Sequence, residues 1–171
     1  MAQAVPGLAA AVVMGVSGAG KSTVGKLIAA RLDCAFRDAD SFHPAVNIAK
    51  MSRGEALSDE DRCPWLQAIA HWISEHRAAG TTCVVTCSAL KRAYRDLVTD
   101  KQRVDVRLVY LKGDFTLIEA RLKARTGHFM PPGLLHSQFA VLEEPGADEH
   151  VLTVSIDMTP EEIAARVMER L

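Results

Sequence analysis

The chain has 171 residues, a formal net charge of −1 and a hydrophobic content of 49%. A chain of this length is typical of one domain with a substantial core. The balanced charge provides no broad basic surface for nucleic acid or anionic lipid, and no apolar run reaches the ~20 residues that span a bilayer. We therefore expect neither a nucleic-acid partner nor a membrane partner.

The start of the chain and its cysteines indicate a cytoplasmic protein. Residues 1–11 carry no basic segment ahead of their small apolar residues, so no signal peptide is expected. The cysteines form no C-x-x-C pair and are interpreted as free thiols in a reducing compartment; they are Cys34, Cys63, Cys83 and Cys87.

Apolar strands and helices alternate along the chain. Strands are predicted at about residues 8–14, 35–38, 82–86, 104–111 and 151–156. Helices are predicted at about residues 21–32, 43–51, 64–79, 88–99, 114–125 and 133–142, and from residue 159 onward. This alternation predicts an α/β fold with a parallel sheet, helices on both faces and ligands at the carboxyl ends of the strands.

Two predicted helix starts depend on single residues. Ser58 begins a capping box, but Pro64 lies just beyond it. Because proline interrupts a helix, we expect a break there, with the main helix beginning at Pro64. Ser88 follows a buried strand and is expected to cap the helix after it.

Residues 15–22 read GVSGAGKS and match the phosphate-binding P-loop. They lie between a predicted strand and a predicted helix, which is the context that the motif requires. The glycines let successive N–H groups turn toward an anion, and the helix adds its positive N-terminal end. The sequence thus predicts a nucleoside triphosphate site, in which Lys21 is catalytic at the β- and γ-phosphates and Ser22 binds Mg²⁺. The expected nucleotide-binding residues are Gly15, Val16, Ser17, Gly18, Ala19, Gly20, Lys21, Ser22 and Thr23.

Asp38 and Asp40 follow the second predicted strand, at the same sheet edge as the P-loop. Transfer to a hydroxyl needs a carboxylate at the acceptor and Mg²⁺ on the phosphates, and two carboxylates can divide that work. We assign Asp40 to catalysis and acceptor binding, and Asp38 to the metal. The third strand ends without an acidic residue, which favours a small-molecule kinase over a motor ATPase. A plain loop turn is the alternative.

Arg121, Lys123, Arg125 and His128 lead into a loop over residues 126–132 that contains glycine and proline. We interpret this region, about residues 125–136, as a lid whose arginines neutralise the transferred phosphoryl group. Arg121 is assigned to the nucleotide and Arg125 to catalysis. A solvated basic face is the alternative.

Lys91 and Arg95 follow the third predicted strand. They could anchor an anionic group of the substrate. An exposed helix with charged residues would have the same spacing, so both interpretations stay open.

Taken in order, these residues resemble the gluconate kinases of the P-loop kinase group. The resemblance runs from Val12 to the end of the chain and includes GVSGAGKS, DADSFHP at 38–44, CSALK at 87–91 and LEEPGADE at 142–149. It implies one P-loop kinase domain over residues 1–171, with a parallel five-stranded sheet and a small lid. The chain departs from the family at Ala19, where serine is frequent, and in residues 1–10, an extension of no evident role.

The resemblance implies that ATP, with Mg²⁺, phosphorylates D-gluconate to 6-phospho-D-gluconate, and that the enzyme is a cytoplasmic homodimer. It also implies a polyol site. The expected substrate-binding residues are Asp40, His43, Asn47, Arg53, Lys91, Arg95 and His128. Two alternatives stay open: a kinase for another small acceptor such as shikimate, a nucleotide or adenylyl sulfate, and a regulatory nucleotide-binding module without phosphoryl transfer.

Overall fold

The computed structural model describes residues 5–101, 104–125 and 132–171. Its five strands form one parallel sheet in the order β2-β3-β1-β4-β5. The strands are β1 (Ala10–Met14), β2 (Ala35–Asp38), β3 (Cys83–Thr86), β4 (Val106–Lys112) and β5 (Leu152–Ser155). The predicted α/β fold with a parallel five-stranded sheet is confirmed.

Helices follow the strands and cover both faces of the sheet. They are α1 (Lys21–Leu32), α2 (Ala45–Ser52), α3 (Asp59–Ala78), α4 (Arg92–Val98), α5 (Phe115–Ala124), α6 (Pro132–Val141) and α7 (Pro160–Met168). Short 3₁₀ turns lie at Ala39–Phe42 and Ala147–Glu149. Among the described residues, no helix has the length and apolar character needed to cross a membrane. All four cysteines are free thiols.

The core lies on both sides of β1, whose five residues are fully buried. Successive side chains of a strand point to opposite faces. Val13 therefore joins the apolar cluster beneath α1 and α7, whereas Val12 joins the cluster beneath α3 and α4. A strand buried on both faces places the loop that follows it at the centre of the sheet edge.

The strand register brings the acidic loop to that same edge. Thr86, at the end of β3, pairs with Val13 of β1 on one side and with Asp38 of β2 on the other. The ends of the three strands are therefore aligned, and the residues that follow them share one surface.

Two predicted helix starts were wrong. Helix α3 is continuous from Asp59 through Pro64. Proline has no N–H to donate to the carbonyl of Glu60, four positions earlier, but Glu60 is exposed, so water can bind that carbonyl instead. The cap that Ser58 makes to the Asp61 amide holds the first turn in place. Ser88 caps nothing, since α4 begins at Arg92 and the residues between are a loop.

The predicted lid lies partly outside the described residues. Its loop and His128 belong to residues 126–131, so they stay predictions. Its flanks are described: α5 ends at Ala124, and α6 begins at Pro132.

The close approach of α1 to the sheet generates a stability prediction at Gly25. A Cβ atom there would lie 2.8 Å from Cε2 of Phe36 and 3.1 Å from Cγ2 of Thr86. Overpacking typically costs about 1–3 kcal/mol, while alanine gains about 1 kcal/mol of helix propensity over glycine. We expect Gly25→Ala to lower the free energy of unfolding by about 1 kcal/mol in urea titration.

The control for this experiment lies on the same helix. Ala30 is exposed, so Ala30→Gly measures the propensity difference alone, about 1 kcal/mol. A Gly25→Ala protein stabilised by the same amount would contradict the close packing.

Candidate active site

The P-loop curls because its three glycines adopt backbone angles that other residues rarely take. Gly15, Gly18 and Gly20 have φ of 146°, 84° and 91°. A Cβ atom on Gly18 would also lie 2.7 Å from Cγ of Leu122. The loop thus needs glycine there both for its turn and for the close packing of α5.

Lys21 folds back over the loop that precedes it. Its Nζ donates a hydrogen bond to the carbonyl oxygen of Val16 at 3.0 Å. Burial lowers the pKa of Lys21 from its ordinary value, and the carboxylates of Asp38 and Asp40 oppose that shift. The ammonium group therefore lies in an environment that an anionic phosphate would complete.

Asp38 connects the P-loop to the acidic loop. Its Oδ2 accepts a hydrogen bond from Ser22 Oγ at 2.6 Å, and its Oδ1 accepts one from the Asp40 amide at 3.1 Å. Burial raises the pKa of Asp38, but hydrogen bonds from Ser22, the Asp40 amide and Thr86, with the charge of Lys21, hold it below its ordinary value overall. The side chain is thus an ionised oxygen donor beside a hydroxyl.

These groups surround one cleft of about 290 Å³. The residues predicted for the site that line it are Ser17, Gly20, Lys21, Ser22, Thr23, Asp38, Asp40 and Arg125. The lining residues that sequence reasoning did not assign to the site are Ala39, Trp65, Thr86, Cys87, Ser88 and Gln138. The structure therefore brings most of the predicted nucleotide and catalytic residues together.

Three of these additional residues differ in how readily the sequence indicates that they belong to the site. Thr86 ends the strand next to Asp38, so the strand order would have found it. Gln138 accepts a hydrogen bond from the Ser17 amide at 2.6 Å, and no short local pattern in the sequence indicates this contact across 121 residues. Trp65 lies on the buried face of α3 with Ile69 and Ile73, and this helical spacing is typical of a core residue, yet it also faces the cleft.

His43 and Asn47 lie beside the cleft in contact with α3. The His43 ring stacks on Trp65, with centroids 4.4 Å apart and planes inclined by 12°. Asn47 is buried, and its amide nitrogen lies 3.5 Å from His43 Nδ1 and donates to the Asp61 carbonyl at 2.8 Å. Asn47 therefore orients the histidine and the start of α3.

The two arginines of α5 separate. Arg125, at the end of the helix, lines the cleft. Arg121 donates to the carbonyl oxygen of Ile156, just after β5, and does not line that cleft. It lies next to Leu122, which packs on the P-loop.

The cations expected at the substrate differ in their surroundings. Arg53 is exposed, forms an ion pair with Glu55 at 2.6 Å and does not line the cleft. Lys91 lies 3.0 Å from both carboxylate oxygens of Asp59, to which the Tyr94 hydroxyl also donates. Lys91 does not line the cleft either, but it lies three residues after Ser88, which does.

The expectation that Arg95 contacts the substrate is corrected by its burial. The side chain is 0% exposed and forms a bidentate pair with Glu149 at 2.7 and 2.9 Å. Its Nη1 donates to the carbonyls of Ala89 and Leu90 at 3.1 and 3.2 Å. Arg95 therefore supports the loop before α4 from inside the protein.

The burial of this pair generates a second stability prediction. Removing one member of a buried ion pair typically costs about 3–5 kcal/mol, because the other charge is left unpaired. We expect Glu149→Gln to lower the free energy of unfolding by that amount in urea titration. Arg92 and Asp148 form an exposed pair in the same region, and Arg92→Ala is expected to leave the free energy of unfolding nearly unchanged, because exposed ion pairs contribute little. Equal losses in the two variants would contradict a structural role for the buried pair.

Comparison with known proteins places the chain among sugar-acid and related kinases. A family model described as shikimate kinase matches residues 17–170. The thermoresistant gluconokinase of Escherichia coli (strain K12) is 48% identical over 159 residues, covering 92% of this chain and 90% of that protein. A probable gluconokinase of Mus musculus is 45% identical and covers 93% of this chain and 95% of its own length. A solved gluconokinase from Sinorhizobium meliloti 1021 is 40% identical, with a TM-score of 0.82 and 94% of each chain covered.

Proposed function

This chain belongs to the gluconokinase family, and we propose how its cleft transfers the γ-phosphoryl group of ATP to the primary hydroxyl of D-gluconate. One observation carries the assignment of roles: a single cleft holds the P-loop lysine, Lys21, and the carboxylate of Asp40. Phosphoryl transfer depends on positioning and on electrostatic stabilisation more than on covalent chemistry. The roles below therefore follow from which group each side chain can hold.

The nucleotide is held at the P-loop. Backbone amides of the P-loop and of the first turn of α1, together with the Lys21 ammonium, bind the phosphates. Ser22 and Asp38 supply hard oxygen donors, 2.6 Å apart, that suit Mg²⁺. When bound, Mg²⁺ offsets the negative charge on the phosphates.

Asp40 is the base that accepts the proton of the attacking hydroxyl. It is exposed at the cleft, so an acceptor can reach it. Its neighbour Asp38 is already engaged by Ser22 and by the Asp40 amide. The two carboxylates thus have different partners, which matches a division between metal and acceptor.

The carboxylate end of gluconate lies toward Lys91 and Arg62. Arg62 Nη1 is 3.9 Å from Asp59 Oδ1, and Lys91 binds the same carboxylate. Two cations face one anion, so this cluster carries one positive charge in excess. Arg62 was not assigned from the sequence. His43, near Arg62 and Asp40, supplies a ring for the polyol chain between the two ends.

The remaining roles concern closure and assembly. Arg125 stabilises the transferred phosphoryl group, Arg121 borders the nucleotide, and His128, in the lid, approaches the substrate; residues 126–131 lie outside the described part of the chain. We also propose a cytoplasmic homodimer, as the family resemblance implies. Sedimentation at a mass of twice 18.6 kDa would support the dimer, and a monomer mass would exclude it.

The division between the two carboxylates predicts different defects. We expect Asp40→Asn to lower kcat by about 10²–10⁴-fold, because general-base catalysis contributes about that much, with little change in KM for ATP. Asp38→Asn is expected to raise the Mg²⁺ concentration needed for half-maximal rate. Steady-state kinetics with varied ATP, gluconate and Mg²⁺ measure both. If Asp38→Asn gave the acceptor-specific defect, the roles would be reversed.

The acceptor is tested with a panel of D-gluconate, glucose and shikimate. We expect kcat/KM for gluconate to exceed that for glucose by about tenfold or more, because glucose lacks the carboxylate that would accept charge-assisted hydrogen bonds from Lys91 and Arg62. Shikimate is included because the family model carries its name. Mass spectrometry and NMR of the product identify the phosphorylated hydroxyl. If the rate of ATP hydrolysis were the same with and without each acceptor, a regulatory nucleotide-binding module without phosphoryl transfer would be favoured.

The same panel locates the anchor for the carboxylate. Lys91→Ala and Arg62→Ala are expected to raise KM for gluconate and to leave KM for ATP unchanged. They should also lower the ratio of kcat/KM for gluconate to kcat/KM for glucose. Arg53→Ala is the control, since Arg53 is an exposed cation at the end of α2 that pairs with Glu55 and not with Asp59. A specific defect in Arg53→Ala alone would move the anchor to the end of α2.

A further inference from the structure

Trp65 makes two contacts that the roles described above do not use. Its indole Nε1 donates a hydrogen bond to the carbonyl oxygen of Ala39 at 2.7 Å, across 26 residues of sequence. Its ring carries the stacked ring of His43. The side chain is only 6% exposed, yet it lines the cleft. A buried indole N–H normally takes a partner, and here that partner belongs to the peptide unit that leads into Asp40.

The peptide unit between Ala39 and Asp40 is held at both ends. Its carbonyl accepts the hydrogen bond from Trp65, and its N–H donates to Asp38 Oδ1 at 3.1 Å. A peptide unit is planar, so two hydrogen bonds on opposite sides fix its orientation. Fixing that plane also fixes where the Asp40 side chain leaves the backbone.

The donor comes from a rigid part of the molecule. Trp65 packs in the core cluster with Leu66 and Ile69 of the same helix, both fully buried. The acceptor lies in the short 3₁₀ turn Ala39–Phe42 at the edge of the cleft. The packed helix therefore sets the position of the turn.

We propose that Trp65 is a positioning residue for phosphoryl transfer, acting through the Ala39–Asp40 peptide to hold the Asp40 carboxylate at the acceptor hydroxyl. The proposal rests on the role of Asp40 given under the proposed function. A displacement of about 1 Å in a reacting group can cost about 10²-fold in rate. The loss of this hydrogen bond should therefore appear in kcat and not in the binding of ATP.

The primary test is Trp65→Phe, which keeps an aromatic ring for His43 but removes the N–H donor. We expect kcat to fall by about 10–10²-fold, with KM for ATP within about twofold and a cooperative thermal transition retained. Trp72→Phe is the matched control: Trp72 lies two turns further along α3 and touches the same turn through an edge-on ring contact with Phe42. Its indole N–H donates no hydrogen bond among the described residues, so the pair of variants isolates the hydrogen bond from the ring contact. Trp72→Phe makes the same chemical change away from the cleft and should leave kcat unchanged. A wild-type kcat in Trp65→Phe would overturn the proposal.

A double-mutant cycle with Asp40→Asn tests whether Trp65 acts through the base. Once the base is gone, its position no longer matters, so Trp65→Phe should add less than about twofold in the Asp40→Asn background. Multiplied effects would overturn the proposal while leaving Asp40 as the base. If Asp40→Asn alone kept wild-type kcat, the proposed role of Asp40 would fail, and the action of Trp65 through it would fail with it.

The indole hydrogen bond can also be measured in the unmutated chain, should Trp65→Phe not fold. With ¹⁵N-labelled tryptophan, the two indole N–H signals are assigned by their absence in Trp72→Phe. We expect the Trp65 indole proton to exchange with solvent at least tenfold more slowly than that of Trp72. Equal exchange rates would show that Nε1 holds no stable hydrogen bond and would overturn the proposal.

Discussion

The hydrogen bond from Ser22 to Asp38, at 2.6 Å, joins the phosphate loop to the acidic loop. The strands and helices hold these two loops in the positions that this contact requires. Ser22 lies in the first turn of α1, which follows β1. Asp38 ends β2, which is two positions from β1 in the sheet order. The strand between them, β3, ends in Thr86, which pairs in register with Asp38. A small hydroxyl-bearing residue there leaves room for the carboxylate to reach past β3. The phosphate loop and the acidic loop therefore meet because three parallel strands end at the same level.

Polar contacts between residues far apart in sequence hold two walls of the cleft, the loop before α4 and the side formed by α6. Ala89 adopts φ of 45°, a conformation that residues with a Cβ rarely take. Arg95 binds its carbonyl and is itself held by Glu149. On the other wall, Gln138 accepts from the Ser17 amide and ties α6 to the P-loop. Both walls thus depend on residues distant in sequence, and an unpaired partner in either would be costly.

The acceptor side is attached to the fold differently from the nucleotide side. The P-loop and α1 are packed into the sheet, whereas α2 is connected to α3 by side-chain contacts: the His43 stack, the Asn47 hydrogen bond and the Lys50–Asp61 ion pair at 2.8 Å. Substitutions in such contacts can change the acceptor without altering the sheet. This agrees with a family model named for shikimate kinase that matches nearly the whole chain, while the close relatives are gluconokinases. The fold is thus shared between kinases that are named for different acceptors.

The sequence by itself determined the alternation of strands and helices, the P-loop and the placement of Asp38 and Asp40, because each depends on a short local pattern. It was wrong at Pro64, where the cap at Ser58 and the packing of α3 outweigh one lost hydrogen bond. Contacts between residues far apart were beyond it. Only the tertiary structure decided that Arg95 forms an ion pair with Glu149, 54 residues away. It also decided that Trp65 donates a hydrogen bond to the peptide before Asp40. Composition and spacing cannot distinguish a cation that faces a ligand from one that faces a buried carboxylate, because the partner of a side chain depends on segments that are distant in sequence.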